Sequence, residues 1–215
     1  MRAAPPKAIR EPKLPAELET RLLADLESGT VVEACRLEAC TLSGTKAPSV
    51  RFDGVHIAGG ALDESKLANL TWLDVVCERC NLSLLDWRGA KLTRVVVRGC
   101  RLTGAKLVEC ELDSVRFIDC HIDYASFSNT RFRQVVFESC QLREAHFHGA
   151  DLTGTSFVGC ELQGADFGRT KLQGVDVSSS NLGQITVGPA DVRGLVVNRS
   201  QASELAKLLG LVVRD

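Results

Sequence analysis

Nine cysteines and four histidines are the residues with the most chemistry to offer in this 215-residue chain. Cys77-Glu78-Arg79-Cys80 has the CxxC spacing of metal and dithiol sites, while Cys80, Cys100, Cys120, Cys140 and Cys160 recur at intervals of twenty. A zinc site needs four ligands converging from turns. Recurrence at a fixed interval instead marks a shared structural slot, so we read the thiols as small core fillers and assign no metal. His56, His121, His146 and His148 have no carboxylate or nucleophile at a spacing that catalysis uses. His146 and His148 flank Phe147 and fit a solvated patch. Asp166-Phe167-Gly168 spells a kinase tripeptide without any other kinase element. Gly-rich phosphate loops and Ser/His/Asp orders are missing from the sequence. We therefore expect no catalytic residue, no metal and no cofactor.

The elements that hold these residues are written in a period of five. From Cys100 to Gly174 the chain divides into CRLTG AKLVE CELDS VRFID CHIDY and onward to TKLQG, with Leu, Ile or Phe in the middle of each group. Followed outward, every central position from Val32 to Val197 is apolar, with Ala47 and Cys77 the weakest. All eight Phe and both Trp are central, and every cysteine except Cys77 falls two residues earlier. A helix would repeat at 3.6 and a strand at 2, so this chain must turn a corner once per five residues.

Ala150-Asp151-Leu152 matches the motif A(D/N)LXX literally, and Ala165-Asp166-Phe167 matches it closely. On these residues and the unbroken frame, positions 30–199 resemble the pentapeptide-repeat family. That resemblance implies an all-β solenoid, a right-handed quadrilateral β-helix with four repeats per coil. The sequence supports four sides independently, because first positions sort by twenty: Val55, Val75, Val95, Val115 and Val135 form one file, the cysteines from Cys80 to Cys160 another. The span corresponds to about 8.5 coils, and at ~4.8 Å per layer to a rod roughly 40 Å long. Leu70, Leu85 and Ile185 are large for the small wall slot, so distortion is expected there, and again near Pro48 and Gly59-Gly60. A solenoid also needs covered ends. Residues 1–13, rich in proline and charge, are expected to be a flexible tail. Leu18, Leu22, Leu23 and Leu26 at helical spacing predict a capping helix over 14–29. Ser200 is the expected N-cap of a helix through Leu209, within a C-terminal cap or dimerisation segment at 200–215.

With 45% hydrophobic and 25% charged residues and a net charge of −1, the composition is that of one soluble domain, without the basic field that nonspecific nucleic-acid binding needs. No apolar run is long enough to span a membrane. The N-terminus lacks the apolar core of a secretion signal, so a cytoplasmic location with reduced thiols is expected. Gln201-Ala202-Ser203 through Leu208-Leu209-Gly210-Leu211-Val212-Val213 resembles the C-terminal segment of the Qnr-type quinolone-resistance subgroup. This implies a homodimer, for which Leu205, Leu208, Leu209 and Leu211 are the candidate interface. It also implies a role as an imitator of duplex DNA that binds DNA gyrase or topoisomerase IV and shields it from fluoroquinolones. The candidate partner-binding face is the acidic one, where Asp63, Glu64, Asp123, Glu144 and Glu161 outweigh Arg101 and Arg143. The alternative is a structural scaffold for an unrelated protein, for which Val76, Val96, Ile118, Val136, Val158 and Val196 offer an apolar stripe.

Overall fold

The structure, a computed structural model, describes residues 9–208 and 210–214. It is a four-sided parallel β-solenoid closed by one helix, α1 (Arg199–Leu208). Two adjacent faces carry the named strands: β2 (Val31–Glu33), β3 (Cys35–Glu38), β4 (Arg51–Asp53), β5 (His56–Ala58), β6 (Thr71–Glu78), β7 (Lys91–Arg98), β8 (Glu111–Ile118), β9 (Arg131–Glu138) and β10 (Ser156–Val158). On the other two faces, single bridges such as Asn81↔Arg101 and Asp86↔Lys106 alternate with turns. Each residue pairs with the one twenty further on, from Val31↔Arg51 to Asp176↔Val196. Leu82 N–H donates to Arg101 O at 2.7 Å and Arg101 N–H to Cys80 O at 3.0 Å, and bonds of this pattern repeat along the rod.

The corners explain the period. From residue 29 to residue 174, positions whose numbers end in 4 or 9 hold positive φ, whether glycine, as at Gly104 (φ 66), or not, as at Leu84 (φ 56) and Tyr124 (φ 60). Glycine takes this conformation freely, and other residues do so at a cost. Pro48 avoids the corner class, which is why the distortion expected beside it does not occur: Ser49 N–H still reaches Ala68 O at 2.8 Å. Gly59-Gly60 likewise keeps the frame, through Ala61↔Asn81. Pro189 falls on a corner, where its ring forbids φ > 0. There the coil is replaced by a run of turns, in which Asp191 N–H bonds Gly188 O, before the frame resumes at Val196.

The central side chains fill the rod. Phe117, Phe137 and Phe157 stack with centroids 4.9 and 5.0 Å apart, and Phe127, Phe147 and Phe167 with spacings of 5.2 and 5.1 Å. The ring spacing matches the layer spacing, so identical residues one coil apart lie face to face. Trp72 and Trp87 share one coil at 4.6 Å, and the small centre Cys77 in that coil leaves room for both. Leu70, Leu85 and Ile185 are buried without breaking the ladder, contrary to expectation; Lys91 N–H still bonds Leu70 O at 2.8 Å and Lys106 N–H bonds Leu85 O at 2.8 Å. Their stacking neighbours are small where it matters: Ala90 follows Leu70, Ser65 and Ala105 enclose Leu85, and Ala165 precedes Ile185.

Both ends differ from their sequence reading in an instructive way. No helix forms over 14–29. Instead β1 (Glu19–Arg21) pairs in parallel with β3, Glu19 opposite Cys35. The first coil presents unpaired backbone groups, which a strand can satisfy and a helix cannot. Leu26 then folds into the core while Leu22 stays in solvent. Residues 9–13, expected to be free, lie along the corner between the two stranded faces: Arg10 pairs with Asp113 at 2.7 Å, Glu11 with Arg116 at 3.1 Å, and Lys13 N–H donates to Asp74 at 2.8 Å. Residues 1–8 lie outside the described part. At the other end the N-cap is Asn198, two residues before the Ser200 of the sequence reading. Gln201 N–H bonds Asn198 Oδ1 at 2.9 Å and Asn198 N–H bonds Gln201 Oε1 at 2.8 Å, a reciprocal capping box. The Gln201 amide also donates to Val177 O and Ser180 O, closing the last coil.

Two outcomes test this architecture. Phe137→Ala should cost about 3–5 kcal/mol in chemical denaturation, because it removes the middle ring of a buried stack. Asp74 is nearly buried and accepts two bonds from Arg94, at 2.6 and 2.5 Å, besides that from Lys13. The Arg94 guanidinium, aided by the Lys13 N–H, holds its carboxyl below the usual range. Its contribution is therefore present above the unfolded pKa of about 3.9 and lost as pH falls through the lower folded value. Asp74→Ala should destabilise by about 2 kcal/mol at neutral pH, with the difference from wild type shrinking in melts below pH 4.

Candidate functional site

The coil sorts outward residues into four faces, and the five acidic candidates fall on one of them. Asp63, Glu64, Asp123, Glu144 and Glu161 lie on the face whose ladder runs Thr41, Ala61, Asn81, Arg101, His121, Gln141, Glu161, Asn181. Asp63 accepts from Ser43 Oγ at 2.7 Å, Asp123 from Arg143 N–H at 2.8 Å, and Glu161 from Asn181 Nδ2 at 2.9 Å. Glu64 and Glu144 stand exposed on positive-φ corners. The acids form two groups rather than a stripe. Three layers, roughly 14 Å, separate Asp63 from Asp123, with Arg101 between them. The Arg143 guanidinium lies 4.0 Å from Asp123 and offsets part of the second group. The adjoining face carries Lys46, Lys66 and Lys106 in a ladder with Asp86. That face is the more basic of the two.

The face between β6 and β9 does not present the expected apolar stripe. Val96 is 7% and Ile118 8% exposed, whereas Val158 is open to solvent. Charged side chains span this wall: Arg98 reaches Glu78 at 3.4 Å, and Arg116 reaches Glu138 at 3.2 Å and Glu11 of the N-terminal arm. His56 also belongs here, and it has an acid that the sequence hid. Its Nε2 lies 3.3 Å from Glu78 and its Nδ1 3.1 Å from Arg36. A separation of 22 residues is one coil plus two, invisible to any local motif. The guanidinium must donate to Nδ1, which leaves Nε2–H facing Glu78 and fixes the neutral tautomer. His148 lies 3.8 Å from Asp166, giving the His146–Phe147–His148 patch one paired member.

The wall cysteines do more than fill space. Cys110, Cys120 and Cys140 each point a thiol at a carbonyl 23 residues earlier, Trp87 O at 3.2 Å, Val97 O at 3.4 Å and Phe117 O at 3.4 Å. Thr130 and Thr170 make the same bond to Leu107 O and Phe147 O at 2.6 and 2.8 Å. The slot therefore takes small residues, and donors to the preceding coil where it takes Cys or Thr. Burial raises the Cys110 thiol to about 12, so it stays protonated and inert.

Clefts among the described residues are open grooves between side chains. One, bounded by Lys91, Glu111, Asp113, Arg131 and Arg133, encloses about 160 Å³. Another, about 410 Å³, lies where α1 meets the last coil, between Leu182, Gln184, Leu205 and Leu208. Of the candidate dimer residues, Leu205 is 8% exposed and packs with the core of the last coil. Leu208 and Leu211 are exposed, and the Leu209 side chain lies outside the described part.

No helix among the described residues is long and apolar enough to cross a membrane. No curated protein matches the chain. Among solved structures, a trypsin-treated form of QnrB1, described as a plasmid-mediated fluoroquinolone resistance protein, is 19% identical with a TM-score of 0.44, covering 91% of this chain and 99% of that one. Full-length QnrB1 is 20% identical with a TM-score of 0.37 over 91% and 99%. HetL of Nostoc sp. strain PCC 7120, described as involved in heterocyst differentiation regulation, is 16% identical with a TM-score of 0.23 over 74% and 87%. Residues 90–167 match the family model described as a pentapeptide repeat region. That segment carries the pentapeptide repeat, and its twenty-residue register runs on from Val31 to Val196.

Proposed function

We propose that this is a non-catalytic, cytoplasmic rod that works by binding another protein, and that the partner is DNA gyrase or topoisomerase IV. In this reading the rod occupies the surface where the enzyme holds duplex DNA and so protects it from cleavage poisons such as fluoroquinolones. The observation that carries the protein-binding reading is the geometry of the rod. Its interior is filled from wall to wall, and what varies is charge displayed at fixed ~4.8 Å intervals on flat faces. The choice of gyrase rests on the resemblance of the Gln201–Val213 segment to the Qnr-type subgroup.

The charge distribution shapes how such imitation would work. Duplex DNA carries one negative charge per ~1.7 Å of axis. Five acids, some paired, on a rod of this length fall far below that density. Binding would therefore depend on the width and straightness of the rod, with Asp63/Glu64 and Glu144/Glu161 meeting cations at two points. The same low density favours the second reading, a scaffold for an unrelated protein, and the two part in one assay. Gyrase supercoiling inhibited by a fluoroquinolone should recover on titration with this protein. Reversing Glu64, Glu144 and Glu161 to Lys should then abolish recovery without changing the melting curve. If wild-type protein has no effect on gyrase or topoisomerase IV, the scaffold reading stands.

The dimer part of the proposal rests on Leu208, which lines the terminal cleft, and on the exposed Leu211 and Val212 after it. Light scattering at micromolar concentration should give twice the chain mass. Leu208→Glu combined with Leu211→Glu should give a monomer of unchanged circular dichroism, whereas a wild-type monomer would end this part of the proposal.

A further inference from the structure

Two departures from the repeat meet at one place inside the rod, away from the surface discussed above. The first is Gly60, which takes a wall position in the file Cys40, Gly60, Cys80, Cys100. A Cβ at Gly60 would lie 2.7 Å from Cys40 Sγ, so the missing side chain leaves space into which a thiol leans. The second is Cys77, the sole cysteine at a centre, which adds a sulfur from inside the coil. Cys77 Sγ lies 3.9 Å from Cys100 Sγ, and the sulfurs of Cys77, Cys80 and Cys100 all lie within 4.8 Å of one another. The three residues are 0, 3 and 0% exposed. Room for Trp72 and Trp87 would be met equally by Ala at position 77, so volume alone does not call for a thiol there.

We propose that Cys77, Cys80 and Cys100 form a binding site for one soft monovalent cation, Cu(I), with Ag(I) as its stable analogue. Soft sulfur ligands suit Cu(I), zinc and iron–sulfur clusters, so ligand count and charge must choose among them. A metal–sulfur bond of ~2.3 Å in a planar three-fold arrangement places the sulfurs roughly 4 Å apart, close to the spacing already present. Charge decides the valence. When Cu⁺ enters, one S–H bond breaks, its proton leaves to solvent and a Cu–S bond forms, while the other two sulfurs coordinate as neutral thiols. The site holds no net charge before or after, and the metal keeps its oxidation state. A divalent ion would have to displace two protons to reach neutrality, and it prefers a fourth ligand that this trio lacks.

Backbone contacts fix the position of the Cys80 sulfur: it accepts from Gly60 N–H at 3.3 Å and lies 3.3 Å from Glu78 O, while Cys80 N–H reaches Cys100 Sγ at 3.3 Å. Gly59 and Gly60 leave the corner beside Cys80 without side chains.

The chain reports on its own site, since its only two tryptophans, Trp72 and Trp87, are centres of the coil that holds Cys77 and Cys80. Reduced, anaerobic full-length protein should show tryptophan quenching by Cu(I) and by Ag(I) that ends at one equivalent and survives competition with bicinchoninate. Cys77→Ser keeps the volume but removes the soft ligand, and should weaken binding at least 100-fold with a wild-type far-ultraviolet spectrum. Gly60→Ala, which fills the space beside Cys40, should weaken it as well. Cys140→Ala, in the same file but without a centre thiol beside it, should bind as wild type does. The proposal is overturned if wild-type protein gives no one-equivalent endpoint, if Cys77→Ser retains it, or if Cys140→Ala loses it equally.

Discussion

Backbone pairing between residues twenty apart is the constraint on which everything else in this molecule rests. A coil of four short sides cannot satisfy its own N–H and C=O groups, so each layer bonds to the layers above and below, as Leu82 N–H does to Arg101 O and Arg101 N–H to Cys80 O. Once that spacing is imposed, side chains at equivalent positions must lie one layer apart. The phenylalanine stacks, the thiol and hydroxyl donors that reach back 23 residues, and the ladders of charge on the faces all follow from it.

The same constraint determines the ends. A terminal layer presents unpaired backbone, and this chain closes its two ends by different means. At the start a strand, Glu19–Arg21, pairs with the first coil, and the arm before it continues down a corner through Arg10, Glu11 and Lys13. At the finish the Gln201 amide takes the two carbonyls that no further coil will use, and α1 starts from the capping box that the same side chain completes. One glutamine thus joins helix initiation to solenoid termination.

Function in such a rod has to live on the faces or in departures from the repeat. The faces carry a modest imbalance, acidic on one side and basic on the next, at a density far below that of a nucleic acid. The departures are few: Pro189 breaks a corner, Gly60 omits a wall side chain, and Cys77 replaces a bulky centre. Two of those three meet at the same buried point, and that coincidence is what distinguishes the trio of sulfurs from the remainder of the cysteine file.

The repeat frame, its four sides, the apolar interior and the C-terminal helix were legible in the sequence because each depends on a residue's class and its number modulo five or twenty. A regular ladder preserves that number. The corner rule emerged only from the positive φ values of Gly29, Gly44, Gly54, Gly104 and Gly154 and their equivalents, and it separates Pro48, which keeps the frame, from Pro189, which breaks it. What only the tertiary structure decided were relations outside the period. The helical spacing of Leu18, Leu22 and Leu26 was overruled because an open sheet edge needs a strand. The stripe from Val76 to Val196 was broken up, with Val96 and Ile118 buried, Val158 open and ion pairs such as Arg98–Glu78 on the same wall. His56 met Glu78, and Cys100 joined Cys77 and Cys80, at offsets of 22 and 23. Such offsets combine one full coil with a step of two or three residues along the wall, and only the closed coil, which turns sequence distance into nearness, brings those side chains together.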